Sequence, residues 1–171
     1  ELLARDEATL ADEVAMVRHY LAVMSQRLGE RLSYEVSLDP ALASTALPPG
    51  VLLTLTENAV EHGIARALDG GRVEVRVAAE GRTGAIRVAD DGAGIAPGWQ
   101  EGLGLANVRE RLAHHFGDAA TLTLAPGLPQ GLFAQLSLQG IGVLAQRNAG
   151  PRLEMAVGRE PVDLLAHPVQ P

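Results

Sequence analysis

The first long pattern in the chain is an apolar stripe at helical spacing. Leu10, Val14, Val17, Leu21, Met24 and Leu28 follow at intervals of 4, 3, 4, 3 and 4, which places them on one side of a helix. Asp12, Glu13, Arg18 and Arg27 fall off the stripe, and Gly29 supplies a stop. Such a helix either covers a sheet or continues a dimerising coiled coil from upstream, and the pattern fits both. Residues 33–38 alternate as a short strand. Residues 39–50 carry Pro40, Pro48 and Pro49 without a period and read as a loop. Pro48 and Pro49 are expected to open a second helix. Its apolar positions Leu52, Leu55, Ala59 and Val60 keep helical spacing, and it runs to about His62 and ends at Gly63.

Beyond that helix the period changes to two. Val73, Val75 and Val77 point one way while Arg72, Glu74 and Arg76 point the other. A turn follows, and residues 85–88 alternate again, which predicts a hairpin. A glycine-rich stretch spans residues 90–104. A third helix starts at Leu105 and runs to about Phe116, with Leu105, Val108, Leu112 and His115 on one face. Two more strands fit residues 121–124 and 132–138. Residues 140–171 hold four prolines and little periodicity, so a loosely packed tail is expected there, with one strand near 153–157.

Composition narrows the chemistry. The 171 residues suffice for one domain of ordinary size, and nearly half are apolar. No apolar run approaches the roughly 18 residues of a membrane span. Cysteine is absent, which removes disulfides, thiolate zinc sites and a cysteine nucleophile. All 14 basic residues are arginine. The lack of lysine removes the Walker A motif and Schiff-base chemistry. A net charge of −7 and only five aromatic residues argue against nucleic acid as a partner. The chain begins at Glu1 without methionine or signal peptide and reads as a piece of a longer protein.

Three clusters carry candidate chemistry. The first is Glu57-Asn58-Ala59-Val60-Glu61-His62-Gly63 on the second helix. Asn58 and His62 are four apart and share a polar face with Thr54 and Glu61. An asparagine oxygen is a hard neutral ligand for magnesium, which takes few protein ligands beside phosphate oxygens. The second is Asp90-Asp91-Gly92-Ala93-Gly94-Ile95 at a strand end. A carboxylate there can accept from an exocyclic amine, and the glycines let a ring approach the backbone. The third is Gly102-Leu103-Gly104-Leu105-Ala106-Asn107 at the start of the third helix, where free N–H groups favour an anion. Each cluster alone also fits a solvated helix face, an ordinary turn or a plain helix entry.

In this order and spacing the clusters resemble the Bergerat-fold, or GHKL, ATPases, the superfamily of gyrase, Hsp90, histidine kinases and MutL. Pro48-Pro49, the Glu57–Gly63 and Asp90–Gly94 clusters, and Gly102-Leu103-Gly104-Leu105-Ala106-Asn107-Val108-Arg109-Glu110-Arg111-Leu112 are similar to the LytS-type sensor histidine kinases. Tyr20-Leu21 with Arg27 resembles that group's helix leading into the catalytic domain. The resemblance covers roughly residues 10–139. It implies an α/β two-layer sandwich, one mixed sheet with helices on a single face, binding ATP between the second and third helices. It implies that Asn58 holds Mg²⁺, that Asp90 accepts from adenine N6, and that Gly92 and Gly94 let the ring lie against backbone. Ile95 begins a short lid over residues 95–101, and Gly102, Leu103, Gly104 and Leu105 serve the phosphates. Glu61 and His62 belong to the nucleotide side of the helix. Glu57 orients a water on the metal or acts as a base.

The same resemblance implies a division of labour. Residues 1–30 lead in from a dimerisation and phosphoacceptor region, 31–139 form the ATP-binding catalytic domain, and 140–171 are a tail. The whole kinase is expected to be a homodimer that passes phosphate to a response regulator. The domain is expected in the cytoplasm, as part of a membrane-anchored bacterial kinase. The acceptor histidine of such kinases sits in a Pro-His-Phe type motif, which does not occur here. His19 stands beside Tyr20-Leu21, outside the acceptor pattern. His114 and His115 diverge by about 100° on a helix and do not share a metal easily. The departures are Glu61 where lysine is common, Leu53 and Thr54 where glutamine and proline are common, and Gly131-Leu132 where Gly-Thr is common. A stand-alone serine kinase or ATPase of anti-sigma type, and a degenerate interaction module that has lost nucleotide, are the rival readings.

Overall fold

The computed structural model of the chain describes residues 7–94, 98–127 and 129–141. The elements in chain order are β1 (Ala8–Thr9), α1 (Leu10–Leu28), β2 (Leu32–Leu38), β3 (Ala46–Leu47), α2 (Val51–Asn58), β4 (Gly71–Glu80), β5 (Thr83–Asp90), α3 (Leu103–Phe116), β6 (Ala120–Pro126) and β7 (Leu132–Gln139). Five strands form one mixed sheet in the order β2-β4-β5-β7-β6. β2 runs parallel to β4, and the other neighbours are antiparallel. β1 and β3 make a separate antiparallel pair that ties the start of α1 to the loop before α2.

The period-two pattern decides which side of the sheet the helices take. Val73, Val75 and Val77 of β4, Ile86 and Val88 of β5, and Ala134, Leu136 and Leu138 of β7 are buried on one face. The opposite face carries the Arg72–Glu35 and Arg87–Glu80 ion pairs and the Arg87–Gln135 hydrogen bond. All three helices therefore pack on the apolar face, contributing Val17 and Leu21, Leu52 and Leu55, and Leu105, Val108 and Leu112 to one core. The result is a two-layer α/β sandwich of the Bergerat kind. Leu10, Val14, Val17 and Leu21 of the α1 stripe are buried in this core and Met24 and Leu28 pack against it, so the helix covers the sheet. A capping box starts that helix, with Thr9 Oγ1 accepting from the Asp12 N–H at 3.2 Å and Asp12 Oδ2 accepting from the Thr9 N–H at 3.0 Å.

Four expectations change. Pro48 and Pro49 do not open α2: the helix begins at Val51, and Gly50 is its N-cap with φ 78°. That left-handed conformation suits glycine, which has no Cβ to clash. Glu13, grouped with the off-stripe charges, is fully buried. Its carboxylate accepts from the N–H groups of Gly50 at 2.6 Å and Leu52 at 2.9 Å, and so caps the exposed donors of α2. The second helix also does not stop at His62; it continues as a π-helical turn, Ala59–Ile64. The loop of residues 39–50 contains a 3-10 turn, Pro40–Leu42, and β3. The tail from 142 to 171, with the strand expected near 153–157, lies outside the described residues.

Candidate functional site

The π turn, the end of β5 and the start of β7 enclose a cleft of about 160 Å³. Asp90 lies at its floor and is only 5% exposed. Its Oδ1 accepts from the Gly92 N–H at 3.0 Å and its Oδ2 from the Leu132 N–H at 3.2 Å. A carboxylate has about four lone-pair sites, so acceptor capacity remains on both oxygens. Burial raises the Asp90 carboxyl above its ordinary range; the two N–H groups pull it down, and Asp91 adds a smaller upward push. The Leu132 contact is made by its backbone N–H and so does not depend on the side chain at that position.

Close packing holds this carboxylate in place. A Cβ on Gly63 would overlap Asp90 Oδ1, and a Cβ on Gly92 would overlap the Gly63 carbonyl carbon. Gly63 therefore leaves room for the Asp90 carboxylate, and Gly92 for the backbone of Gly63. The Ala93 N–H donates to the Gly63 carbonyl at 3.1 Å, locking the loop after β5 onto the π turn. The turn itself is closed by the Ala65 N–H reaching Val60 O at 2.8 Å, a five-residue step that widens the helix beside Asp90.

Asn58 and His62 both line the cleft. Asn58 Nδ2 donates to the Thr54 carbonyl at 2.7 Å, one turn back. One of the two amide hydrogens is thus used, which orients the side chain, and its oxygen is left for a ligand. Among the described residues no group of three His, Cys, Asp or Glu could hold a metal. A lone neutral oxygen fits magnesium that draws its other ligands from phosphate and water. Next to Asn58, Glu57 is raised by burial first and by Glu61 second. Glu57 and Glu61 do not line the cleft; both act electrostatically on Tyr20 of α1, whose phenol is pushed up to about 12 chiefly by burial and further by the two carboxylates.

The other expected residues are distributed as follows. Gly94 lines the cleft with φ 76°. Gly92 is buried, and its missing Cβ makes room for Gly63. Ile95 lies outside the described residues. Gly102 is the N-cap of α3 and has no side-chain cap bond. A Cβ on Gly104 would stand 3.4 Å from Thr54 Cγ2, which puts the α3 N-terminus beside α2 one turn before Asn58. Leu105 is buried in the core, whereas Leu103 is exposed. None of Gly102, Leu103, Gly104 and Leu105 lines the cleft around Asp90. Glu101, the last residue of the expected lid, is anchored by Arg109, whose Nη2 lies 2.6 Å from Oε1. That bond lowers the Glu101 carboxyl and raises the Arg109 guanidinium.

Sequence reasoning missed three residues. Glu13 flanks the apolar stripe between Leu10 and Val14, a position that could have flagged partial burial. Arg66, four residues past His62, lines the cleft and brings a cation to it. Trp99, within the expected lid segment, also lines it.

A family profile described as histidine kinase-, DNA gyrase B- and HSP90-like ATPase matches residues 50–139. The sensor histidine kinase BtsS of Escherichia coli K12 is 33% identical over 118 residues, 68% of this chain and 21% of that protein. The sensor protein LytS of Bacillus subtilis is 30% identical over 135 residues, 71% of this chain and 23% of that protein. The chain thus spans about a fifth of the length of these relatives. Among solved structures, the histidine kinase domain of a blue-light activated kinase from Erythrobacter litoralis aligns with a TM-score of 0.56 at 20% identity, covering 84% of this chain and 69% of that one. The catalytic domain of the histidine kinase ThkA aligns with a TM-score of 0.58 at 15% identity, covering 78% of this chain and 95% of that one. These two likenesses concern the fold.

Proposed function

This chain belongs to the histidine kinase-, DNA gyrase B- and HSP90-like ATPases, and from that premise we propose that it is the Mg-ATP-binding catalytic domain of a LytS-type sensor histidine kinase. It presents the γ-phosphate to a histidine on an upstream helix outside this chain. The observation that carries the reading is the buried Asp90 carboxylate, held at the cleft floor by two backbone N–H groups with acceptor capacity to spare. Adenine offers a donor at its 6-position; guanine offers an acceptor there.

The remaining roles follow from placement. Asn58 would hold Mg²⁺ through its side-chain oxygen, and the ion would neutralise phosphate charge. His62, Gly94 and Arg66 border the base and its sugar; Gly102, Leu103, Gly104 and Leu105 offer N–H groups to the phosphates. Gly92 preserves the Asp90 carboxylate's setting, and Ile95 belongs to the segment beside the nucleotide. Glu61 acts through charge. Glu57 is proposed as a base or as a residue that orients water, because burial favours its binding a proton. Phosphoryl transfer needs positioning and charge neutralisation more than covalent help from the protein.

Residues 1–30 are proposed to lead in from the dimerisation and phosphoacceptor region, 31–139 to be the catalytic domain, and 140–171 its tail. The whole kinase is proposed to be a homodimer acting on a response regulator, with this domain in the cytoplasm of a bacterium that anchors the kinase in its membrane. Among the described residues no helix is long and apolar enough to cross a membrane. The names of the relatives favour this reading over a stand-alone serine kinase.

Calorimetric titration with Mg-ATP and Mg-GTP tests the proposal. Mg-ATP should bind more tightly by about ten-fold or more, the consequence of a mismatched buried polar pair. Asp90→Asn should erode that preference. Equal affinity for the two nucleotides in the parent would remove Asp90 from its assigned role, and no binding of either would favour the degenerate module.

A further inference from the structure

Trp99 is the single tryptophan of a chain with only five aromatic residues, and it stands on the wall of the cleft that has Asp90 at its floor. At 37% it is one of the exposed large apolar side chains of the described residues. Ala93, Gly94 and Leu132, all small or apolar, line the same cleft. The π turn adds His62 and Gly63 to the lining, and Arg66 follows just beyond it. Arg66 is exposed and has no ion pair or hydrogen bond among the described residues.

We propose that Trp99 is a base-stacking residue of the nucleotide site, its indole lying against one face of the purine while the π turn covers the other. The inference rests on the nucleotide-binding reading above and adds to it a residue that none of the three motif clusters contains. The argument is one of planes and edges. A purine that meets Asp90 with its 6-amino edge has that edge on the cleft floor, so its two faces must look at the two walls. The helical segment supplies His62, Gly63 and Arg66 to the lining. Trp99 adds a large flat side chain that makes no hydrogen bond or ring contact among the described residues. Base–aromatic stacking is insensitive to which base is present, because every base has a π face. Trp99 therefore supplies affinity, and Asp90 supplies the choice of adenine. Glu101, two residues on, is pinned to Arg109 by three hydrogen bonds, which limits how far Trp99 can stray from the wall.

Intrinsic fluorescence reads this directly, because the emission comes from one residue. The intact chain, Trp99→Phe and Trp99→Leu are titrated with Mg-ADP by calorimetry, and the parent is followed in parallel by tryptophan emission. The expected result is an emission change in the parent that saturates together with the calorimetric signal. Trp99→Leu should bind Mg-ADP about ten-fold more weakly, in line with the usual loss on removing an aromatic platform. Trp99→Phe, which keeps a ring, should recover most of the loss. Emission that stays constant while calorimetry saturates, or a Trp99→Leu chain that binds like the parent, overturns the stacking role and leaves nucleotide binding intact. No heat with the parent for Mg-ATP or Mg-ADP overturns nucleotide binding, and the stacking role with it.

Discussion

At the scale of single residues, the buried carboxylates set the terms. Glu13 is the clearest case: burial raises its carboxyl, while the N–H groups of Gly50, Leu52 and Leu53 and the charge of Arg111 pull it down. Glu13→Ala would leave the Gly50 and Leu52 N–H groups without an acceptor. It is expected to cost about 2 kcal/mol, less the relief of a buried charge, read as a lower urea midpoint. Glu13, Glu57 and Asp90 are all raised in the folded chain. The folded state therefore holds their protons to higher pH than the unfolded state does. Their contribution to stability is fully present below the ordinary carboxylate range and is lost as pH rises through the raised native values. Melting temperature should accordingly fall over the pH interval that runs from the ordinary carboxylate range up through the raised native values. Glu101 is lowered by Arg109, so its contribution is present above the ordinary range and lost in acid, outside that interval. A flat or rising melting temperature across the interval would contradict the raised carboxyls. Asn58 has a different test. Asn58→Ala removes the side-chain oxygen and leaves the apolar side of α2 untouched. Mg-dependent ATP binding should weaken about ten-fold or more with near-normal melting. Unchanged binding in magnesium would take the metal away from Asn58.

At the scale of elements, the π turn is where the helix becomes a binding surface. It brings Gly63 against the Asp90 carboxylate and turns His62 and Arg66 toward the cleft. Gly63→Ala forces a Cβ into Asp90 Oδ1, so either the turn or β5 must shift. The expected cost is about 2 kcal/mol in urea unfolding, with nucleotide binding lost alongside. The turn also marks the limit of what periodicity reveals. The five strands of the main sheet and the three helices were legible because each has an apolar face of its own: Val73, Val75 and Val77 at period two, Leu105, Val108 and Leu112 at period 3.6. β1 and β3 were not, since two residues make no period. The N-terminus of α2 was misread because Pro48-Pro49 is a common helix opening, whereas the cap comes from Glu13, 37 residues earlier. No local signal encodes such a distant carboxylate. For the cleft, the motifs named Asn58, His62, Asp90 and Gly94. They missed Arg66 and Trp99, whose side chains reach the cleft only because the π turn and the loop after β5 face one another.

At the scale of the whole molecule, the positions of the histidines decide whether the chain can phosphorylate itself. Transfer requires an acceptor nitrogen close to the γ-phosphorus and in line with the leaving oxygen. His62 lies on the same helical segment as Asn58 and borders the cleft, so it belongs to the binding surface. His114 and His115 occupy the last turn of α3, away from its glycine-rich start, and His115 Nε2 lies 3.9 Å from Glu7. His19 is on α1, where it borders an apolar groove with Met16, Tyr20, Val23 and Leu53 rather than the Asp90 cleft. Its helix is fixed by a buried stripe, so swinging His19 to the phosphates would mean breaking the core at Val17 and Leu21. His167 lies outside the described residues. The chain is therefore expected to bind Mg-ATP yet take up no acid-labile phosphate when incubated with ATP labelled at the γ-position. Adding an upstream segment of the same parent kinase that carries its acceptor histidine should produce label on that segment and none on this chain. Label on the chain alone, abolished by His19→Gln, would make α1 the acceptor helix and would require that helix to leave the sheet, an opening that hydrogen exchange along Leu10–Leu28 would reveal.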